Sequence, residues 1–199
     1  MPYSNFTLET IEENFGVTNK FSKLFPSIST QEPSSLLKET LQETSNLLSL
    51  SSEKEKSEAI IFPIIFEMKR KNPKKISIFS GRRLDVDSTK GLVGECDFII
   101  SNKPNLFDIG SPVIAVIEAK KDDFSQGIAQ CIAQMIGSRV FNEKKDTPVD
   151  VLYGCVTNAR EWQFLSLESN IVTVDSDIYY LNQIPEILGI FQMILDKYK

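Results

Sequence analysis

The chain has no histidine among its 199 residues. Without imidazole there is no Ser-His-Asp triad, no histidine general base and no histidine-built zinc site. Cysteine is scarce. Cys96, Cys131 and Cys155 each sit in an apolar run, and no CxxC pair occurs. An odd number of unpaired thiols in such surroundings implies reduced, buried side chains and a cytoplasmic setting. No apolar run approaches the roughly 20 residues that span a bilayer, so no membrane partner is expected. The opening stretch MPYSNFTLETIEENFG has neither a basic nor an apolar leader region, so a signal peptide is not expected. Positive charge is also in deficit. A formal net charge of −5 argues against indiscriminate attraction to polyanions over the whole surface.

What is present suits one α/β domain with some decoration, and 199 residues can bury a core without staples. Residues 1–50 carry six Glu, three Lys and no Arg or Asp, unlike the rest. Short helices are expected near 7–14 and 33–48, around a loop at Pro26 and Pro33. Residues 1–51 thus read as an N-terminal helical extension packed on a core domain of 52–199. A reading in which this extension binds a partner stays open.

From Ser52 the pattern changes. SSEKEKSEAIIFPIIFEMKRKN opens with Ser and Glu and closes with Lys and Arg, as a helix start and stop should. Pro63 deletes one backbone hydrogen bond and should kink that helix. Strands are expected at 75–80, 83–87, 95–100 and 112–118, then a helix over 125–142. Strands follow at 149–156, 161–167 and 171–175, and an amphipathic helix at 183–198. PVIAVIE is nearly continuous in apolar residues. That marks a central strand covered on both faces.

The chemistry gathers where that strand runs out, in VIAVIEAKK. Side chains alternate along a strand, so Glu118 and Lys120 point to one face. A carboxylate there can hold a hard cation, and the ammonium can orient a water or stabilise a developing phosphoryl charge. The plain alternative is a solvated strand-end ion pair. Asp97 interrupts the apolar strand ECDFII, and Glu95 shares its face. Two carboxylates from neighbouring strands repel, and Mg²⁺ relieves that repulsion. Otherwise Asp97 is an acid bonded to backbone amides. Glu58 is expected on one helix face with Ile61, Phe62 and Ile65, either to favour the helix start or to reach a metal or water. In the next helix Gln126, Gln130 and Gln134 form one row, beside small residues Ala129, Ala133 and Gly137 that permit close helix–sheet approach. The glutamine row either faces the strand ends or forms a solvated edge.

A helix with Glu58, a strand with Asp97, a strand with Glu118-Ala119-Lys120 and a helix with Gln130 together resemble the PD-(D/E)XK nuclease superfamily. The likeness covers roughly residues 57–165. The stretch YGCVTNAREWQFLSL is similar to the sheet edge of N-terminal nuclease domains in type I restriction motor subunits. The resemblance implies a restriction-endonuclease-like αβββαβ core, with a mixed central sheet flanked by helices, and Mg²⁺- or Mn²⁺-dependent cleavage of DNA, less commonly RNA. It makes Asp97, Glu118 and the Ala119 carbonyl metal ligands, with Glu58 as a further one. Lys120 would activate the attacking water, with its own pKa lowered by partial burial, while Glu58 and Gln130 support the site. Cys96 stands where the motif name has proline, a position that varies in the superfamily.

The densest basic run joins Lys69, Arg70, Lys71, Lys74 and Lys75, with Arg82 and Arg83 soon after. It is a candidate phosphate contact, or else a solvated helix end whose cations complement the dipole. Trp162 and Phe164 read as core. The expected partner is therefore nucleic acid, DNA before RNA, with a homodimer left open. The competing expectation is a catalytically inactive nuclease-fold module that binds nucleic acid or protein.

Overall fold

The computed structural model describes residues 2–120 and 124–198. Its frame is a mixed eight-stranded sheet in the order β1-β7-β6-β5-β4-β3-β2, with β8 paired to β6. The strands are β1 (Thr18–Ser22), β2 (Ser77–Arg83), β3 (Glu95–Ser101), β4 (Val113–Ala119), β5 (Val151–Thr157), β6 (Glu161–Glu168), β7 (Ile171–Asp175) and β8 (Tyr179–Tyr180). β4 lies in the middle. It pairs antiparallel with β3 and parallel with β5, and all seven of its residues are buried. The apolar run PVIAVIE thus becomes a strand covered on both faces, as expected.

Helices cover the two faces. On one side α2 (Ser35–Leu47), α3 (Glu53–Lys56), α4 (Phe62–Lys71) and α6 (Ile184–Asp196) bury Ile64, Ile117, Phe164 and Phe191. On the other, α1 (Leu8–Phe15) and α5 (Phe124–Lys144) bury Val116, Ile132 and Leu165. α5 is covered by the sheet on one side and by the N-terminal segment on another. It buries Gln134, Ser138 and Asn142 as fully as its apolar residues.

Ser52 starts the helical run 53–71. Its hydroxyl accepts from the Glu55 amide, and the Glu55 carboxylate reaches back to the Ser52 amide. Those backbone bonds, from Ser52 first and then Ser51, hold Glu55 down to about 2. Pro63 does not break the run. A π-helical turn, Ser57–Ile61, precedes it, and the Phe62 amide bonds to the Ser57 carbonyl. The Ala59 carbonyl, four residues before Pro63, accepts from Thr44 Oγ1 of α2 at 3.3 Å. The hydrogen bond that proline cannot donate is replaced from a neighbouring helix.

Two expected elements differ. RLDVD is not a separate strand. β2 continues through Arg83, and the chain then turns, with an isolated Asp87–Leu92 bridge and Gly94 at φ +143°. The N-terminal segment is not only helical, because TNKFS forms the edge strand β1, parallel to β7. All five β1 residues are exposed, so no apolar alternation marks them. The β7 backbone supplies the pairing.

The segment also enters both cores, with Tyr3 and Ile11 in one and Phe25 and Leu37 in the other. The Tyr3 ring fills the notch left by Gly137 on α5, and its hydroxyl donates to the Leu84 carbonyl at 2.8 Å. Gly137 therefore makes room for Tyr3. Truncating a buried ring removes its packing and leaves a cavity. Tyr3→Ala is expected to lower stability by roughly 3–5 kcal/mol in urea unfolding, whereas a loss below about 1 kcal/mol would show that the segment merely rests on the domain.

Candidate active site

β4 ends in Glu118 and Ala119, and Lys120 follows directly. The alternation of a strand turns Glu118 and Lys120 toward α5, where glutamines meet both. Lys120 Nζ lies 2.9 Å from Glu118 Oε1 and donates to Gln130 Oε1 at 3.0 Å. Gln134 Nε2 donates to Glu118 Oε2 at 2.7 Å. Both Glu118 oxygens are thus engaged by side chains, and the residue is 2% exposed. From the adjacent strand β3, Asp97 Oδ2 accepts from the Ala119 amide at 2.7 Å. Asp97, Glu118 and Lys120, distant in sequence, therefore meet at one end of the β3–β4 pair, with Gln130 beside them.

Gly127 lets α5 come this close. A Cβ there would lie 2.8 Å from Val156 Cγ1 and 2.9 Å from Lys120 Cγ. Any side chain at 127 would push against the lysine stem.

Burial sets the electrostatics. It pushes the Glu118 carboxyl up to about 7, and the nearby Asp97 charge adds to the rise, against opposition from Lys120 and Gln134. Asp97 is also raised, first by burial. The Ala119 amide opposes this, and Glu53 and Glu95 reinforce it. For Lys120, burial is the largest single influence and acts downward, but the Glu118 charge and hydrogen bond, with the charges of Glu53 and Asp97, together hold the ammonium above its ordinary value. The expectation that partial burial lowers the Lys120 pKa is therefore corrected, because a carboxylate at 2.9 Å stabilises the charged amine.

Two carboxyls raised together mark a place short of positive charge. Their oxygens form a hard donor set. Mg²⁺ commonly takes one or two carboxylates and keeps several waters, so this pair fits it. Among the described residues no three acidic or thiol side chains gather as a ready cation cage. A cation here would be held by Asp97 and Glu118 with water and, on the resemblance drawn above, the Ala119 carbonyl.

Glu58 does not take its expected place. Ile61 and Ile65 are buried while Phe62 and Glu58 face outward, because the π turn rotates the faces on either side of it. The Glu58 carboxylate is 71% exposed and 3.9 Å from Lys54. It borders a cleft of about 330 Å³ whose other walls include Glu53, Ser80, Glu95, Asp97 and Ala119. Glu58 belongs to the rim, outside the buried cluster.

Two participants were not singled out from the sequence. Glu53 lines the cleft and acts on both Asp97 and Lys120, yet it looks like any acid in a first helical turn. Gln134 was legible only as one of a row. It is fully buried against Glu118, while Gln126 turns away to the Ser4 carbonyl at 2.7 Å. Trp162 and Phe164 are core residues, as expected.

The basic run is divided. Lys69, Arg70, Lys71, Lys74 and Lys75 gather at the end of α4 remote from Glu58, about 20 Å along the helix axis. Lys69 Nζ donates to the Pro73 and Ile76 carbonyls, and burial lowers its pKa. Arg70 pairs with Glu67 at 3.0 Å, Lys71 donates to the Glu32 carbonyl, and Lys75 lies 3.5 Å from Asp196. Arg82 and Arg83 instead lie beside Cys96 and Glu95 near the cleft, paired with Asp108 and Asp85.

No family model matches the chain, and no curated protein is significantly similar to it.

A carboxyl raised by folding binds its proton more tightly in the native state than in the unfolded chain. Its contribution is present below about 4.5 and is lost as pH rises through about 7. Wild-type stability is therefore expected to fall across that interval in metal-free buffer, by on the order of 1–3 kcal/mol from this group. Glu118→Gln should flatten the slope, and an unchanged slope in denaturant melts at several pH values would contradict the assignment.

Proposed function

We propose that the chain is a metal-dependent nuclease of the PD-(D/E)XK type, hydrolysing phosphodiester bonds, of DNA in the first instance, with Mg²⁺ or Mn²⁺. One observation carries the reading. The Lys120 ammonium bridges Glu118 and Gln130, while Asp97 holds the amide of the residue between Glu118 and Lys120. The element order supports it: a helix, the antiparallel strands β2, β3 and β4, the helix α5, and then β5 parallel to β4. That order agrees with a restriction-endonuclease-like core.

Asp97 and Glu118 would hold the cation, which would polarise the scissile phosphate and lower the pKa of a coordinated water. Lys120 supplies a positive charge beside the carboxylates. There it favours hydroxide and stabilises charge developing on the phosphoryl oxygens. Gln130 holds the lysine head and Gln134 holds Glu118 Oε2, so the Lys120 contact with Glu118 Oε1 is the one a cation must displace. Glu58 acts from the rim.

A second reading, an inactive module binding nucleic acid or a protein, draws on one specific observation. Both Glu118 oxygens are already engaged, by Lys120 and Gln134. Cleavage assays separate the two. With plasmid, single-stranded DNA and RNA in Mg²⁺ or Mn²⁺, wild type should cut at least one. Asp97→Asn, Glu118→Ala and Lys120→Ala should each slow cutting by roughly 10²-fold or more, and Glu58→Gln by less than about tenfold. Mutants that cut like wild type would remove the site assignment. A wild type that cuts nothing with either metal would favour the module.

A further inference from the structure

Three phenylalanines form a stair from the surface of α4 down to β3. Phe66 and Phe62 stack with centroids 5.8 Å apart and planes 23° apart, and Phe62 stacks on Phe98 at 6.4 Å and 21°. Phe98 is buried, but Phe62 and Phe66 are 40% and 44% exposed. Near-parallel offset rings whose outer members face water present a free π-surface. The stair starts near the cleft, since Phe62 stands one helical turn from Glu58 on the cleft rim, while Phe98 and Asp97, neighbours on β3, point to opposite faces of the sheet.

The stair also has a direction. Lys69 at the far end of α4 reaches the Ile76 carbonyl just before β2, so α4 runs antiparallel to β2. The exposed rings therefore lead from the cleft toward the basic end of α4, where Lys71 and Lys74 are exposed. The hydrogen bond from Lys71 to a backbone carbonyl leaves its charge intact.

The apolar area is too small for a protein partner. Two rings exposed to this extent offer roughly 150–200 Å² between them, against about 800 Å² per partner in a standard interface. A planar ligand with a polyanionic backbone suits all three features: the parallel rings, the cationic end and the phosphodiester chemistry proposed beside them.

Building on the nuclease reading, we propose that Phe62 and Phe66 are a stacking platform for unpaired bases, and that the substrate is a single-stranded polynucleotide running from the cleft over α4 to its basic end. Bases inside a duplex are stacked on one another and cannot reach the rings, whereas unpaired bases can.

The test is equilibrium binding of the full chain to a fluorescent single-stranded oligonucleotide and to the duplex of the same sequence. Ca²⁺ replaces Mg²⁺, so the readout does not depend on cleavage. Phe66→Ala, which removes a ring that stacks on Phe62 alone among the described residues, should weaken single-strand binding by about five- to 150-fold and leave duplex binding unchanged. Phe62→Ala should act likewise, with a melting curve to verify folding. Phe66→Trp should bind at least as well as wild type and show quenched tryptophan fluorescence on binding.

Equal losses on single strand and duplex, no loss on either, or no binding by wild type would each overturn the platform. So would dissociation of a dimer by Phe66→Ala in sedimentation, which would make the rings a self-interface. Ring-dependent single-strand binding by a chain whose cleavage ignores Glu118→Ala would sink the nuclease reading and spare the platform. The converse pair of results would do the reverse.

Discussion

A carboxylate buried to 2% exposure at the end of the central strand is costly, and the arrangement around it compensates that cost. Glu118 is met by an ammonium on one oxygen and an amide on the other. Meeting it requires α5 to lie close against β4 and β5, which Gly127 permits. The opposite face of β4 carries the apolar Ile114 and Ile117 into the other core, so helices lie on both sides of the sheet. Asp97 can reach the Ala119 amide because β3 pairs directly with β4. The close fit of α5 on the sheet and the local site thus follow from one constraint, an acid held where water cannot solvate it.

Two raised carboxyls beside one ammonium still leave the cluster short of positive charge. Glu53, Glu58 and Glu95 around the cleft deepen that shortfall. On the nuclease reading, a polyanion approaching this mouth would be repelled until a cation was present, and metal and substrate binding would then be interdependent. The cations lie elsewhere, at the end of α4 and at Arg82 and Arg83, most with an acid or a carbonyl already in contact.

Much of this was legible in the residues. PVIAVIE reads as a buried strand because both faces are apolar, and Glu118 and Lys120 share a side by strand alternation alone. The small residues of α5 signalled close approach, though Gly137 serves Tyr3 instead of the sheet. What escaped has physical causes. β1 is exposed at every residue and pairs only through its backbone, so side-chain patterning is silent about it. The π turn is the fold's response to Pro63 together with a hydroxyl on another helix, and it moved Glu58 off its expected face. Gln134 matters through a contact with a strand 16 residues earlier, and local periodicity does not report such a contact. The division of the basic run reflects the length of β2, which carries Arg82 and Arg83 to the end of the strand away from Lys74 and Lys75.

Diffraction from crystals soaked in Mn²⁺, collected at the manganese absorption edge, tests the central claim most directly. An anomalous peak within coordination range of both Asp97 and Glu118, roughly 2.0–2.3 Å, with Lys120 shifted off Glu118 Oε1, is the expected result. Anomalous density elsewhere, or none while Lys120 keeps its contact with Glu118, would show a structural ion pair in place of a metal centre.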